Sequence, residues 1–263
     1  MINNALKSLR FRYLNYKRDH YALFPEGRVL RSLHNIHQEK RCFVIGNGPS
    51  LRAEDLDKLQ ANYEITFAFN RIYHIFPDTN WRPTYYISQD DKMLRGCINE
   101  VDAIPSKIKF VPVEFKWYYG IKVKDATYFH LNNIQEGQPF SFSDHIDECI
   151  VNSNTVVISA IQIAIFMGIK EIYLIGVDHH FHTSINSAGE IIVDEKAKDY
   201  FSDEYNKDKS NLYIPNVDKS TQDFMAIKAY SEKHCVTINN ATRGGALEVF
   251  PRVSFDSLFG EKT

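Results

Sequence analysis

The chain has 263 residues, 44% of them hydrophobic, enough for one large core, alone or with a small appendage. A formal net charge of -2 gives no electrostatic reason to bind nucleic acid, and no such partner is expected. No run of about 18 apolar residues could span a membrane, and no signal-peptide core follows Met1. The four cysteines, Cys42, Cys97, Cys149 and Cys235, form no CxxC pair, so buried free thiols in a cytoplasmic protein are expected.

Residues 1–40 stand apart. Lys7, Arg10, Arg12, Lys17, Arg18, Arg28, Arg31 and Lys40 oppose Asp19, Glu26 and Glu39, a local balance of +5 (8 minus 3). Leu6, Leu9, Tyr13 and Tyr16 recur at helical spacing, which predicts a basic amphipathic helical extension. Such a helix can lie on an anionic membrane, here the inner face through residues 1–31. It can also pack its apolar side on the domain with its cations in water, the commoner arrangement and the one favoured here.

Residues 41–263 are expected to form a single α/β catalytic domain that binds a nucleotide or nucleotide-sugar. A short apolar strand, 42–45, stops at Gly46-Asn47-Gly48-Pro49-Ser50, and a helix-compatible segment follows from Leu51. Glycines let backbone approach a ligand, and a helix N-terminus attracts phosphate. Ser50 is the N-cap candidate, with Glu54 and Asp55 in the first turn. The same spacing equally fits an ordinary strand-to-helix turn.

Further strands are predicted over 64–69, 84–88, 108–113, 126–131, 171–177 and 235–238. Helices are predicted over 156–167, opened by 152–155 and closed by Gly168, and over 220–233. Residues 183–215 are polar with interspersed aromatics and read as a lid-like insertion. Strands alternating with helices imply a Rossmann-like, doubly wound, mainly parallel sheet, which binds ligands beyond its carboxyl edge.

Polar clusters fall at that edge. Asn70 can hydrogen-bond a base, ribose or sugar hydroxyl, and Arg71 can pair with phosphate; the plain alternative is a turn Asn and a surface Arg. Asp90 and Asp91 can hold Mg²⁺, should the reaction be metal-dependent, or accept sugar hydroxyls; the plain alternative is a solvated helix cap. In 176–182 a continued strand would turn Asp178, His180 and His182 one way and His179 the other. One of these histidines can then be a general base, with Asp178 orienting it or holding a ribose; the alternatives are a zinc or iron site and histidines that simply fill a polar loop. Ser153, Asn154 and Thr155 can hold phosphate, though helix capping alone explains them. The polar, glycine-rich stretch 239–245 can close over the ligand or simply turn. His130 and His145 lack comparable company and read as structural.

Taken in order, Phe43-Val-Ile-Gly-Asn-Gly-Pro-Ser-Leu51, Thr66-Phe-Ala-Phe-Asn-Arg71, Pro83-Thr-Tyr-Tyr-Ile-Ser-Gln-Asp-Asp91, Asn154-Thr-Val, Gln162-Ile-Ala and Met167-Gly-Ile-Lys-Glu-Ile-Tyr-Leu-Ile-Gly-Val-Asp-His179 resemble the bacterial 6-hydroxymethylpterin diphosphokinase-like (MptE-like) family over residues 41–182. The framework is also similar to the family 42 sialyltransferases. That resemblance implies CMP-sugar donor contacts for Asn47, Ser50 and Asn70, and more loosely for 153–155. The catalytic His that those enzymes carry ahead of their late helix has no counterpart in 213–220, and the Tyr after their Gly-Ile-Asp gives way to His180. Catalysis then falls to His180 or Asp91, supported by Asp178. The expected activity is a glycosyltransferase using a nucleotide-activated sugar and a glycan or lipid-linked acceptor in bacterial surface polysaccharide or glycoconjugate assembly. The alternatives are pyrophosphate transfer from ATP, with Mg²⁺ at Asp90 and Asp91, and non-catalytic nucleotide binding.

Overall fold

A computed structural model describes residues 2–135, 138–186, 188–194, 196, 198–207 and 213–260. In chain order the helices and strands are α1 Ile2–Asp19, α2 Pro25–Arg31, β1 Arg41–Ile45, α3 Ala53–Ala61, β2 Ile65–Phe69, β3 Tyr85–Ile87, α4 Asp91–Ala103, β4 Ile108–Pro112, α5 Val113–Trp117 and β5 Ala126–Phe129. There follow β6 Leu131–Asn132, β7 Ile150–Val151, α6 Val156–Phe166, β8 Glu171–Ile175, β9 Thr183–Ile185, β10 Ile191–Val193, α7 Asp203–Lys207, α8 Val217–Lys233 and β11 Thr237–Asn240.

Seven strands form one sheet in the order β11-β8-β1-β2-β3-β4-β5, and every neighbouring pair is parallel. The chain winds outward from β1 to β5, returns to β8 on the other side of β1, and ends at β11. The order of the chain therefore reverses between β1 and β8, and it is beyond the carboxyl ends of the strands at such a reversal that these sheets form a ligand-binding crevice. Burial on both faces suits the unbroken apolar runs of β1 and β8, in which Cys42 to Ile45 and Ile172 to Ile175 are all buried. Helix α6 is apolar all round because it packs among β1, β2 and α8.

Strand ends differ from the predicted ones for local reasons. β8 stops at Ile175 because Gly176 adopts φ +63°, and the segment 126–131 breaks at His130 into β5 and β6. β11 starts after Cys235, which takes φ +55°. Ser50 is not the cap of α3: that helix starts at Ala53, and its N-cap Arg52 makes no side-chain cap bond. Of the cysteines, Cys42 and Cys97 are buried as expected, whereas Cys149 is half-buried and Cys235 is exposed.

The packed arrangement expected for the N-terminal stripe does not hold. Leu6, Leu9, Tyr13 and Tyr16 are 60, 61, 58 and 54% exposed. α1 touches the domain through its opposite side. Leu14 packs against the core, Asn15 accepts from the Tyr118 hydroxyl at 2.8 Å, and Phe11 meets the Tyr118 ring edge-on. Beyond α1 the chain joins the core directly: Tyr21 and Leu30 are buried, and α2 packs on β5.

Candidate functional site

The turn after β1 is built around contact with β8. Gly46 donates its N–H to the Ile175 carbonyl at 2.7 Å, and Gly48 donates to the Gly176 carbonyl at 2.9 Å. A Cβ on Gly46 would lie 2.1 Å from the Gly176 oxygen, and one on Gly48 would lie 1.9 Å from Asp178 Oδ2. These glycines admit a neighbouring loop, and their N–H groups are spent on it; the phosphate cradle expected of them is not what the backbone forms. Ser50 likewise faces the neighbouring loop, not the cavity: its hydroxyl donates to Asp178 Oδ2 at 2.7 Å.

Asp178 is thereby locked in place. It is 9% exposed, and its carbonyl accepts from the Ala246 N–H at 2.7 Å. Gly245, at φ +76°, packs against its backbone, so the 239–245 stretch braces Asp178 from behind. Arg243 forks onto Asp55 of α3 and Asp256. Burial pushes the Asp178 carboxyl above its ordinary pKa, opposed by the bonds from Ser50. A carboxyl raised in the folded state contributes stability in acid that is lost as pH rises through its folded pKa. Asp178→Asn keeps an acceptor for Ser50 and removes this loss. The variant should therefore gain stability relative to wild type between about pH 4 and pH 7, read from urea midpoints at both. A constant difference would count against a buried, titrating Asp178.

A cavity of about 670 Å³ fills the crevice. It gathers Gly46, Asn47, Gly48, Asn70, Asp90, Asp91, Ser153, Asn154, Thr155, Asp178 and His180 along its wall, and leaves out Ser50 and Arg71. Arg71 is 4% exposed, with its guanidinium 5.6 Å from the Tyr205 ring centre, so it is not the surface Arg of the plain alternative. Tyr200 and Tyr205, stacked at 3.8 Å, come from the insertion to line the cavity, as does Tyr213. The insertion is tied to the glycine turn where the Phe201 N–H meets the Asn47 carbonyl at 3.0 Å.

Two amides at the cavity are incompletely bonded. Asn47 is 7% exposed, and its Nδ2 donates to the Phe69 carbonyl at 3.0 Å, which fixes Oδ1 as a free acceptor. That oxygen and Oδ1 of Asn70 are both buried without a partner. A buried acceptor left unpaired costs about 1–3 kcal/mol, which a ligand donor would relieve.

Other predicted contacts serve the protein itself. Ser153 donates to the Thr155 carbonyl at 2.7 Å, and Thr155 caps α6 by accepting from the Val157 N–H at 3.3 Å. Asn154 donates its N–H and Nδ2 to Asp223 of α8, both at 2.8 Å. Asp90 caps α4 through the Met93 N–H at 2.9 Å, and burial raises its pKa. Asp91 meets Arg95 at 3.7 Å and the Tyr213 hydroxyl at 3.4 Å. Among the described residues no group of three or more His, Cys, Asp or Glu side chains could hold a metal ion. Asp90 and Asp91 are engaged with the Met93 N–H, Arg95 and Tyr213, and Mg²⁺ held there would need ligand phosphates to complete its shell.

The alternation expected for 178–182 fails because Gly176 and His179, at φ +63° and +54°, bend the chain out of the sheet. His179 turns inward to Thr221 Oγ1 at 2.7 Å, and burial lowers its pKa. His180, 55% exposed, pairs through Nε2 with Asp194 Oδ2 at 2.9 Å. Its orienting carboxylate is therefore Asp194, not Asp178. The sequence hides this partner because the β9–β10 hairpin delivers it from fourteen residues away. His130 also has company after all: Nδ1 bonds Glu114 Oε1, and Glu114 Oε2 accepts from the Leu131 N–H at 3.2 Å. Glu114, Leu131 and Asn133 line both the main cavity and a second one of about 660 Å³.

A doubly wound parallel sheet with a cavity at its switch point places the chain in the Rossmann-like class. The family model for 6-hydroxymethylpterin diphosphokinase MptE-like proteins matches residues 19–184, and the chain belongs to that family. Among solved structures it is similar to the MAf glycosyltransferase from Magnetospirillum magneticum AMB-1, at 15% identity and a TM-score of 0.54. That likeness covers 88% of this chain but only 36% of the other, so this chain spans about a third of that protein's length. It is also similar to the monofunctional alpha-2,3-sialyltransferase Cst-I from Campylobacter jejuni, at 15% identity and a TM-score of 0.47 over 82% of this chain and 81% of that one. No curated protein matches the sequence. At 15% identity the likeness to the MAf structure speaks for the fold alone.

Proposed function

We propose that the protein is a glycosyltransferase that takes a nucleotide-activated sugar, with a CMP-sugar as the first donor to test, and passes the sugar to a glycan or lipid-linked acceptor in bacterial surface polysaccharide or glycoconjugate assembly. The observation that carries this reading is the pair of unpartnered, buried oxygens on Asn47 and Asn70 at the cavity. Two free acceptors, that of Asn47 fixed by its Nδ2 bond to Phe69, suit a ligand rich in donors, as ribose and sugar hydroxyls and base N–H groups are. The N-terminus of α6 lies in the same wall, where its dipole favours a leaving phosphate. His180, oriented by Asp194, takes the proton from the acceptor hydroxyl. The glycosyltransferase fold of the MAf protein supports the same reading.

A thermal-shift panel of CMP, CDP, UDP, GDP and ATP, with and without Mg²⁺, tests it. A ligand at about 100 times its dissociation constant should add roughly 2.7 kcal/mol of stability. A response to CMP, the monophosphate left by a CMP-sugar, or to CDP, UDP or GDP, the diphosphates left by other nucleotide-sugars, supports glycosyl transfer. Stabilisation by ATP–Mg²⁺ alone would replace this reading with the pyrophosphate transfer named in the family's description. Silence across the panel would remove nucleotide use altogether.

Asn47→Ala should weaken the responding nucleotide about tenfold, the worth of one hydrogen bond in a closed site. It should cost the protein only about 1 kcal/mol, because the Phe69 carbonyl loses its donor. Unchanged affinity, measured by titration calorimetry, would remove Asn47 from the ligand.

A further inference from the structure

Among the described residues, α1 rests on the domain through one side and leaves the other exposed, Tyr16 alone of that stripe meeting rings of the chain, those of His20 and Phe24. At 3.6 residues per turn Leu6, Leu9, Tyr13 and Tyr16 fall within an arc of about 80°, opposite the side that carries Leu14 and Asn15 to the core. All four are more than half exposed. Arg12 borders the arc on one side and Arg10 on the other, and both are exposed. Over Ile2–Asp19 the helix carries Lys7, Arg10, Arg12, Lys17 and Arg18 against the single acid Asp19. An apolar stripe between two basic borders fits a surface that is apolar within and negatively charged above. It does not fit a second copy of the same face, since stripe-to-stripe pairing would set Arg10 and Arg12 of one chain against those of the other. No described helix is long and apolar enough to cross a membrane, so the fit is to a surface and not to a span.

We propose that α1 docks the protein on an anionic lipid surface, with Leu6, Leu9, Tyr13 and Tyr16 immersed at headgroup level and Arg10 and Arg12 against acidic headgroups. The second cavity is lined by Arg18, Asp19 and His20, where α1 ends, and it shares Glu114 with the main cavity. The docking itself does not depend on the glycosyl-transfer reading.

Co-sedimentation with phosphatidylcholine vesicles, alone or with about a third phosphatidylglycerol, reads the docking directly. The full chain should bind the anionic vesicles at least about tenfold more strongly than the neutral ones, and should be released as salt rises from about 0.05 to 0.5 M. Leu6→Ser/Leu9→Ser and Arg10→Glu/Arg12→Glu should each lose roughly tenfold or more of the anionic binding. Both pairs are exposed, so the thermal midpoint should stay native, and any nucleotide response should be retained. Absence of vesicle binding, or equal binding to neutral and anionic vesicles, would overturn the proposal. So would a dimer in sedimentation velocity that Leu6→Ser/Leu9→Ser dissociates while vesicle binding is absent, because a second copy would then cover the stripe.

Discussion

Gly46→Ala is expected to lower stability by at least about 3 kcal/mol, enough to leave a small α/β domain marginal. The added methyl would sit 2.1 Å from the Gly176 oxygen and 2.6 Å from its carbon, and both are backbone atoms. The crowding is mutual, since a methyl on Gly176 would meet the Gly46 oxygen at 2.7 Å. Relief would require β1 and β8 to separate where the Gly46 N–H bonds the Ile175 carbonyl at 2.7 Å, in the middle of the seven-stranded sheet. Gly48→Ala meets a different obstacle, the Asp178 carboxylate at 1.9 Å. That side chain can swing, at the loss of its bonds to Ser50, so this substitution should cost less. Gly120→Ala is the control: nothing lies within 4 Å of its Cβ, and only its φ of +70° opposes the methyl. It should cost about 1 kcal/mol. Urea unfolding of the three variants gives the order. A Gly46→Ala variant no less stable than Gly120→Ala would mean that the two loops are not packed as described.

The same turn shows what was legible in the sequence. Apolar runs bounded by turn residues marked the sheet strands because a parallel sheet buried on both faces leaves no polar alternation to confuse the pattern. The run 126–131 was read as one strand because nothing in its composition shows that His130 leaves the sheet to meet Glu114. The glycines were legible as glycines that something must approach closely. That the neighbour is the chain's own β8 loop, not phosphate, depends on which strand lies beside β1, and spacing does not encode sheet order. Ser50 shows a related limit: a polar residue at a strand end points into the cavity or toward a neighbouring loop according to backbone turns set by distant contacts. The exposed stripe of α1 shows the converse limit. Helical periodicity reveals that a face is apolar but not whether the domain covers it, and here the domain holds the opposite side through Leu14, Asn15 and Phe11.

His180→Ala is expected to reduce turnover by about a hundredfold to ten-thousandfold, the contribution of a positioned general base, with donor affinity changed by less than about twofold. The split follows from placement. The unpartnered oxygens that suit a nucleotide belong to Asn47 and Asn70, on the turns after β1 and β2, whereas His180 is an exposed residue paired across the hairpin to Asp194. The backbone N–H of Lys196 and then His180 hold the Asp194 carboxyl below the ordinary carboxylate pKa, so it is ionised at neutral pH and can orient an imidazole. Asp194→Asn should therefore keep the hydrogen bond, lose the charge, and reduce turnover by roughly tenfold. Because the pair is exposed it contributes little to stability, and both variants should unfold at the native midpoint. Binding and turnover must be measured together, since only the combination assigns the role. Full turnover in His180→Ala with nucleotide binding intact would move proton abstraction to another group on the wall, with Asp91, beside Arg95 and the Tyr213 hydroxyl, the next to test. Loss of nucleotide binding in the same variant would instead make His180 a donor contact. Equal falls of turnover in His180→Ala and Asp194→Asn would show that the charge on Asp194, and not merely the aim of its hydrogen bond, is what the histidine requires.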